Sequence, residues 1–188
     1  MMGEPAVKKA CYDDLYLVPE NMIGEIIDGE LIVAPRPSRK HGYAVTALGA
    51  KVTTAYQFGE GGGPGGWIII IEPEIRFGED FIVPDLAGWK TDRFPTSEEH
   101  NWISVAPDWA CEIPSPRTAK IDKHNKMSVY ANHGVPHLWL IDPVMQTFDV
   151  FRLESGRWVV VGLFTGDDRL RVEPFPEIEI DLRNLWLV

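Results

Sequence analysis

The chain has 188 residues, of which 45% are hydrophobic and 24% are charged, and its formal net charge at pH 7 is −10. These values are ordinary for a globular protein with a sizeable core, so we expect one domain over residues 1–188. Nucleic-acid-binding modules usually carry a basic face, because counterion release rewards clustered Lys and Arg. The acidic balance counts against such a module overall but is compatible with a local basic cleft.

Neither a membrane segment nor an export signal is predicted. The longest apolar run, Trp67 to Ile71, is far too short to span a bilayer. The first ten residues lack the apolar centre of a signal peptide. Cys11 and Cys111 are the only cysteines, which fits free thiols in a reducing compartment better than a disulfide framework. We therefore expect a cytoplasmic protein with no membrane partner.

The first part of the chain predicts two helices with a hairpin between them. Tyr12 to Val18 fits a short helix. Asp28-Gly29 is a strong two-residue turn signal, so Glu25 to Ile27 and Glu30 to Val33 are predicted to pair as a β-hairpin. A helix is predicted from Ser38 to about Phe58. Its apolar side is expected to contain Tyr43, Ala47, Ala50, Val52 and Ala55.

A glycine-rich loop at residues 59–66 precedes a group of predicted strands. The loop lacks the Lys-Ser/Thr ending of a phosphate-binding loop, which excludes that interpretation. Strands are predicted at Trp67 to Ile71, Glu74 to Phe77 and Phe81 to Val83. Pro84 and Asp85 follow the last of them.

The stretch from Pro107 to Pro143 predicts a strand–helix–strand crossover. The strand Asp108 to Ile113 ends before Pro114, because proline has no N–H for the ladder. A helix opened by Thr118 or Asp122 ends at Gly134, and His137 to Asp142 forms the second strand. Such a crossover places two parallel strands side by side. Beyond it, Thr147 to Leu153 and Arg157 to Phe164 predict a β-hairpin, followed by short strands near Leu170 to Val172 and Ile178 to Ile180.

Two acids associated with these apolar strands are candidates for a cation site. Glu112 lies inside a buried strand, where glutamate is seldom found without a partner. Asp85 on a neighbouring strand could share a cation with it, and a lysine of the adjoining helix could complete the group. The structural alternatives are a local ion pair for Glu112 and strand termination for Asp85.

An ordered set of residues resembles a known family over nearly the whole chain. The set consists of Glu25-Ile26-Ile27-Asp28-Gly29-Glu30, Pro84-Asp85, Pro107-Asp108, Glu112, Ser115-Pro116, Asp122, Lys126, Tyr130, Gly134-Val135 and Trp139-Leu140-Ile141-Asp142-Pro143. It resembles the Uma-two family of restriction-endonuclease-like proteins, a branch of the PD-(D/E)XK nuclease superfamily. The resemblance implies an α/β fold with a restriction-endonuclease-like core: a mixed central β-sheet flanked by helices, with a C-terminal β-hairpin extension.

The resemblance also implies a site and an activity. Asp85, Glu112 and Lys126 match the catalytic positions, and Asp85, Glu112 and Glu25 match the metal ligands, although Glu25 is equally compatible with a structural role at the hairpin edge. Mg²⁺, with Mn²⁺ as a substitute, suits such carboxylates. The expected activity is a Mg²⁺-dependent DNA endonuclease that acts as a homodimer on duplex DNA. For His41, both a functional and a structural role are compatible with the sequence.

One departure from the superfamily pattern supports a competing hypothesis. The superfamily lysine lies two residues after the acid, where this chain has Pro114, so the match is Lys126 on the following helix. Its structural alternative is an ion pair with Asp122, four residues earlier. As a catalytic cation, Lys126 is expected to tolerate replacement by Met with the fold intact. The competing hypothesis is a non-catalytic homodimeric interaction module that retains the nuclease fold.

Basic residues cluster in two places. Arg117, Lys120, Lys123 and Lys126 gather on one predicted helix and its approach. The first three are expected to line a shared DNA groove in the dimer. The second group is Arg36, Arg39 and Lys40. For both groups the structural alternative is a solvated helix face.

Overall fold

The computed structural model describes residues 9–97, 99–114 and 122–187. The helices are α1 (Tyr12–Leu15), α2 (Arg39–Val52) and α3 (Asp122–Asn132), with a π-helical turn at Thr53–Gln57 and a 3-10 helix at Leu182–Leu185. The strands are β1 (Met22–Ile27), β2 (Glu30–Pro35), β3 (Trp67–Ile71), β4 (Ile75–Phe77), β5 (Asp80–Ile82), β6 (Leu86–Lys90), β7 (Trp109–Glu112), β8 (His137–Asp142), β9 (Thr147–Glu154), β10 (Arg157–Thr165), β11 (Arg169–Leu170) and β12 (Ile180–Asp181).

The central element is a six-stranded sheet in the order β10-β9-β8-β7-β6-β3. Strands β7 and β8 are parallel, whereas the other neighbouring pairs are antiparallel, so the sheet is mixed. Helix α3 connects β7 to β8, which confirms the predicted crossover. The C-terminal strands β11 and β12 form a separate antiparallel pair. The predicted α/β fold with a mixed central sheet is confirmed.

The two faces of the central sheet bury separate hydrophobic clusters. Trp109 and Cys111 belong to the cluster that includes α2 and the C-terminal segment, whereas Ala110 between them belongs to the cluster that includes α3. Successive side chains of a strand point to opposite faces, and here both faces are covered. This explains why β7 reads as a continuous apolar run. It also places Glu112, two residues from Ala110, on the α3 face.

A second, four-stranded sheet has the order β2-β1-β5-β4. The β1–β2 hairpin turns at Asp28 and Gly29, whose φ angles are 54° and 78°. Positive φ at both central residues is the backbone geometry that favours Asp-Gly in a two-residue hairpin, and the predicted hairpin is confirmed. Pairing of Ile26 with Phe81 joins β1 to β5. Glu25 is thereby placed near the chain segment that leads from β5 to β6.

Helix α2 begins after Ser38, whose side chain accepts a hydrogen bond from the His41 amide, as expected of an N-cap residue. The predicted apolar side of this helix is wrong in part. Tyr43 is 42% exposed and Ala50 is exposed, whereas Ala44 and Leu48 are fully buried. Alanines lie on both sides of the helix, so the apolar pattern alone does not define one face.

Within the described residues, no helix is both long and apolar enough to cross a membrane. Cys11 is exposed and Cys111 is buried, and both thiols are free, as predicted.

Candidate active site

Two strands bring Asp85 and Glu112 to the same edge of the central sheet. Strands β6 and β7 are antiparallel, with Leu86 opposite Cys111. One position further out in this register, Asp85 precedes the first residue of β6 and Glu112 is the last residue of β7. Strand β6 is not among the predicted strands, and its pairing with β7 is what fixes Asp85 opposite Glu112.

The carboxylate of Asp85 is held at both oxygens. His41 Nε2 lies 2.7 Å from Asp85 Oδ1, and the Ile113 amide donates to Oδ2 at 2.6 Å. Because a carboxylate only accepts, the Nε2 atom of His41 carries the proton in this contact. His41 is 4% exposed, and its Nδ1 has no hydrogen-bond partner in the described part of the chain. The two donors fix the orientation of the Asp85 carboxylate.

Lys126 lies between two other carboxylates. Its ammonium is 2.8 Å from Glu25 Oε1 and 3.2 Å from Glu112 Oε2, and it donates to the carbonyl oxygen of Val83 at 3.2 Å. Glu25 Oε1 also accepts from the Val83 amide at 2.7 Å. Lys126 is only 6% exposed, so it is a buried cation bridging two strands. The side chain of Asp122 lies outside the described residues. The predicted Asp122–Lys126 ion pair therefore lies outside them as well.

The second oxygen of Glu112 accepts a hydrogen bond from the Tyr130 hydroxyl at 2.5 Å. Burial raises the pKa of Glu112 to about 8, although the positive charge of Lys126 acts in the opposite direction. Burial lowers the pKa of Lys126, but the charges of Glu112 and Glu25 outweigh it and raise that pKa above its ordinary value. Burial and Glu112 raise the pKa of the Tyr130 hydroxyl well above its usual range. At neutral pH, therefore, Lys126 is charged and Tyr130 is a hydrogen-bond donor.

These side chains line one cleft of about 720 Å³, measured with the open solvent at its mouth. The lining residues are Ile23, Glu25, Ala34, Pro35, Pro37, His41, Val83, Asp85, Glu112, Ile113, Pro114, Lys126, Met127 and Leu140. Asp85, Glu112, Lys126 and Glu25, which come from four separate parts of the sequence, are thus brought together.

The donor chemistry of the cleft fits a hard divalent cation, because carboxylate oxygens on rigid strands are the ligands that Mg²⁺ prefers. As placed, however, no group of three or more His, Cys, Asp or Glu in the described ranges is arranged to hold a metal ion. Glu25 and Glu112 do not form a shared cation site as placed, because the Lys126 ammonium occupies the space between them. Binding of a cation by both carboxylates therefore requires that ammonium to move.

The sequence assigned no role to two residues that contact the acids of the site, His41 and Tyr130. His41 reaches Asp85 across 44 positions, and no spacing in the sequence connects a histidine on one helix to an acid at the start of a distant strand. Tyr130 was part of the family resemblance, but its contact with Glu112 follows from helical geometry. Residues 126 and 130 are one turn apart on α3 and face the same strand end.

Comparison with known proteins identifies the family. The family model Uma2, described as "Putative restriction endonuclease", matches residues 11–183. The chain belongs to the Uma2 family. A solved structure described as "a putative nuclease belonging to DUF820", from Anabaena variabilis ATCC 29413, superimposes with a TM-score of 0.74. It is 26% identical in sequence, and the match covers 94% of this chain and 97% of that one. No curated protein matches. The predicted family and its nuclease-like fold are confirmed.

The expected DNA groove of this Uma2 protein is not among the described features. Arg117 and Lys120 lie outside the described residues, as does the side chain of Lys123. Lys126, which the sequence placed in the same basic group, points instead into the cleft.

Proposed function

We propose that this Uma2 protein is a Mg²⁺-dependent DNA endonuclease, with residues 1–188 acting as one cytoplasmic domain. The observation that carries the proposal is the convergence of Asp85, Glu112 and Lys126 in one open cleft. Three residues far apart in the sequence and matched to catalytic positions by family resemblance would not be expected to meet in a fold retained for other reasons. Membership of a family described as restriction endonucleases supports the same reaction class.

Asp85 and Glu112 are the residues proposed to hold the cation, with Glu25 as a further ligand. Mg²⁺, or Mn²⁺ in its place, would supply an activated water and neutralise charge on the phosphate. The protein contributes orientation: His41 and the Ile113 amide hold Asp85, and Tyr130 holds Glu112. These contacts pre-organise the two carboxylates before any ligand enters.

Lys126 has the role of a cation for the reacting phosphate. When its ammonium leaves the space between Glu25 and Glu112, it remains tethered to α3 at the wall of the cleft. A compact ammonium can then stabilise negative charge that develops on a non-bridging phosphate oxygen. Its position also compensates for Pro114, since the lysine reaches Glu112 from the helix rather than from the strand.

The direct test is cleavage of supercoiled plasmid by the purified protein. We expect nicking or linearisation of the plasmid with Mg²⁺ or Mn²⁺ and no cleavage in EDTA. A labelled RNA strand is tested as a second substrate under the same conditions. Absence of cleavage with either cation would contradict the proposal. Cleavage of RNA alone would support the proposed site but would make RNA, not DNA, the substrate.

The competing function, a non-catalytic homodimeric interaction module, is favoured by one observation. Lys126 pairs with both Glu25 and Glu112 within the cleft, as a lysine of a purely structural ion-pair network would. A protein that dimerises, binds no divalent cation and cleaves neither DNA nor RNA would fit this alternative.

We further propose that the protein is a homodimer, because a two-fold assembly presents two identical sites to an antiparallel duplex. Strand β10 forms one edge of the central sheet and carries exposed apolar side chains, including Val160 (52% exposed) and Leu163 (67% exposed). Exposed apolar edge strands favour pairing with another chain. Light scattering is expected to give a dimer for the wild type and a monomer for Val160→Lys with Leu163→Lys. A wild-type monomer at micromolar concentration would contradict the proposal.

His41 is predicted to act through Asp85. His41→Leu removes the donor to Asp85 and is expected to weaken Mn²⁺ binding, measured by calorimetry, by about 10- to 100-fold. His41→Gln is the matched control, because its amide nitrogen can donate from a position close to that of Nε2. Recovery of affinity in the Gln variant would separate this contact from simple loss of packing. Equal Mn²⁺ affinity in the Leu variant would show that Asp85 does not need His41.

A further inference from the structure

Three exposed cations lie in the chain segment that also supplies Pro35, Pro37 and His41 to the wall of the cleft. We call them the cationic rim, which consists of Arg36, Arg39 and Lys40. The rim residues are therefore neighbours in sequence of residues that line the cleft. A ligand that extends out of the cleft along this segment would therefore come close to its cations.

The three cations of the rim have no acidic partner in the part of the chain that the structure describes. The Arg36 guanidinium donates to a backbone oxygen, that of Glu20, at 3.3 Å. The ion pairs found among the described residues involve other cations. Three unpaired positive charges within five positions are a local reversal of sign in a chain of net charge −10.

The position of the rim on α2 is unfavourable for the helix itself. Arg39 and Lys40 begin the first turn, which contains no acidic residue. The N-terminus of a helix carries a partial positive charge from its unpaired N–H groups, so cations there are repelled and anions are attracted. Helix stability therefore does not explain these side chains, and a bound anion would relieve the repulsion.

If the ligand of the cleft is a polyanion, cations near the cleft are needed to offset its acidic lining. Among the described residues that line the cleft, the acids Glu25, Asp85 and Glu112 are accompanied by one lysine, Lys126. A phosphate approaching these carboxylates in an acidic protein is repelled unless cations lie along its path.

We infer that the cationic rim binds the phosphate backbone of duplex DNA beside the phosphate that enters the cleft. This inference rests on the proposed nuclease function and assigns the substrate contact to described residues. Each cation that neutralises a backbone phosphate releases counterions, so it adds affinity and salt dependence without sequence preference.

The test compares two triple variants of equal net charge. The rim variant is Arg36→Ala with Arg39→Ala and Lys40→Ala. The control variant replaces three exposed cations away from the cleft, Lys51→Ala with Lys90→Ala and Arg157→Ala. Lys51 lies near the opposite end of α2 from the rim, and Lys90 lies at the opposite end of β6 from Asp85.

Binding of a labelled duplex is measured by fluorescence anisotropy over a salt series in EDTA, so that no cleavage occurs. The rim variant is expected to lose affinity on the order of 10- to 100-fold, and its salt slope should fall by about 3. The control variant should stay within a few-fold of the wild type. The rim variant should also melt roughly 2 °C higher, because the repulsion at the start of α2 is gone.

Two outcomes overturn the inference: salt-dependent binding that the rim variant retains, or equal losses in both variants. Hydrolysis of bis(p-nitrophenyl) phosphate with Mn²⁺ separates this result from the fate of the proposed function. A rim variant that hydrolyses this small diester normally but binds duplex weakly supports the inference. A wild-type protein that binds duplex through the rim but hydrolyses neither the duplex nor the small diester would support the inference about the rim. The same result would contradict the proposed nuclease function.

Discussion

Lys126→Met is expected to lower the free energy of unfolding by about 3–5 kcal/mol, since it leaves Glu25 and Glu112, two buried acids, without their cation. The sequence-based expectation that the fold tolerates this change stays a prediction, but a side chain that is 6% exposed and bridges Glu25 and Glu112 implies a large cost in stability. Urea denaturation of the wild type and the variant measures the difference.

The matched control removes the stranded charges as well. Lys126→Met combined with Glu25→Gln and Glu112→Gln is expected to recover a large part of the lost stability, because neutral amides can remain buried at lower cost than carboxylates. A loss below about 1 kcal/mol in the single variant, the range of exposed pairs, would show that the bridge is not formed in solution.

The pH dependence gives a second readout of the same contact. The pKa of Glu112 in the folded protein is raised to about 8 from its ordinary value of 4.5, so its stabilising contribution is complete below pH 4.5 and declines as the pH rises to 8. Removing Lys126 raises that pKa further and extends the decline to higher pH. The difference between wild type and Lys126→Met is therefore expected to grow above pH 8, and a constant difference would contradict the assignment.

Asp85→Asn combined with Glu112→Gln is expected to abolish both cation binding and cleavage. A cation at a hundredfold excess over its Kd stabilises the folded state by about 2.7 kcal/mol. For a chain of this size, that corresponds to a rise in Tm of roughly 5–10 °C. The double variant should show no such rise with Mg²⁺ or Mn²⁺, and its plasmid cleavage should fall by a factor on the order of 10³ or more.

The control for this variant is Glu60→Gln with Asp167→Asn, which removes two exposed acids outside the cleft. It should retain the Tm rise and the cleavage, so that loss of negative charge alone is excluded as the cause. An equal Tm rise in the double variant of the cleft would remove Asp85 and Glu112 from the metal site. Loss of cleavage with an unchanged Tm rise would assign them to the reaction but not to cation binding.

The parts of the fold that were predictable are those governed by local rules. The Asp28-Gly29 turn fixes the β1–β2 hairpin, and Gly134 ends the crossover helix, because both positions need positive φ. The strand β7 was predictable from its apolar run. The face of α2 was not, because alanine is compatible with burial and exposure alike.

The candidate site was predictable as a set of residues but not as an arrangement. The burial of Glu112 pointed to a partner, and Lys126 is that partner. Its second contact, with Glu25, depends on the pairing of β1 with β5, which no local pattern encodes. The contact of His41 with Asp85 likewise depends on how α2 packs at the sheet edge, a property of the whole fold.

The hydrogen bond from the Ile113 amide to Asp85 has an evolutionary consequence. It joins the Asp85 side chain to the backbone just beyond β7, so the site geometry depends on the β6–β7 register. Insertion or deletion of one residue within β7 would turn every following side chain of that strand to the other face. Glu112 would then point toward the α2 cluster, away from Lys126. Along this strand, the lineage can therefore accept substitutions in the core but not changes in length.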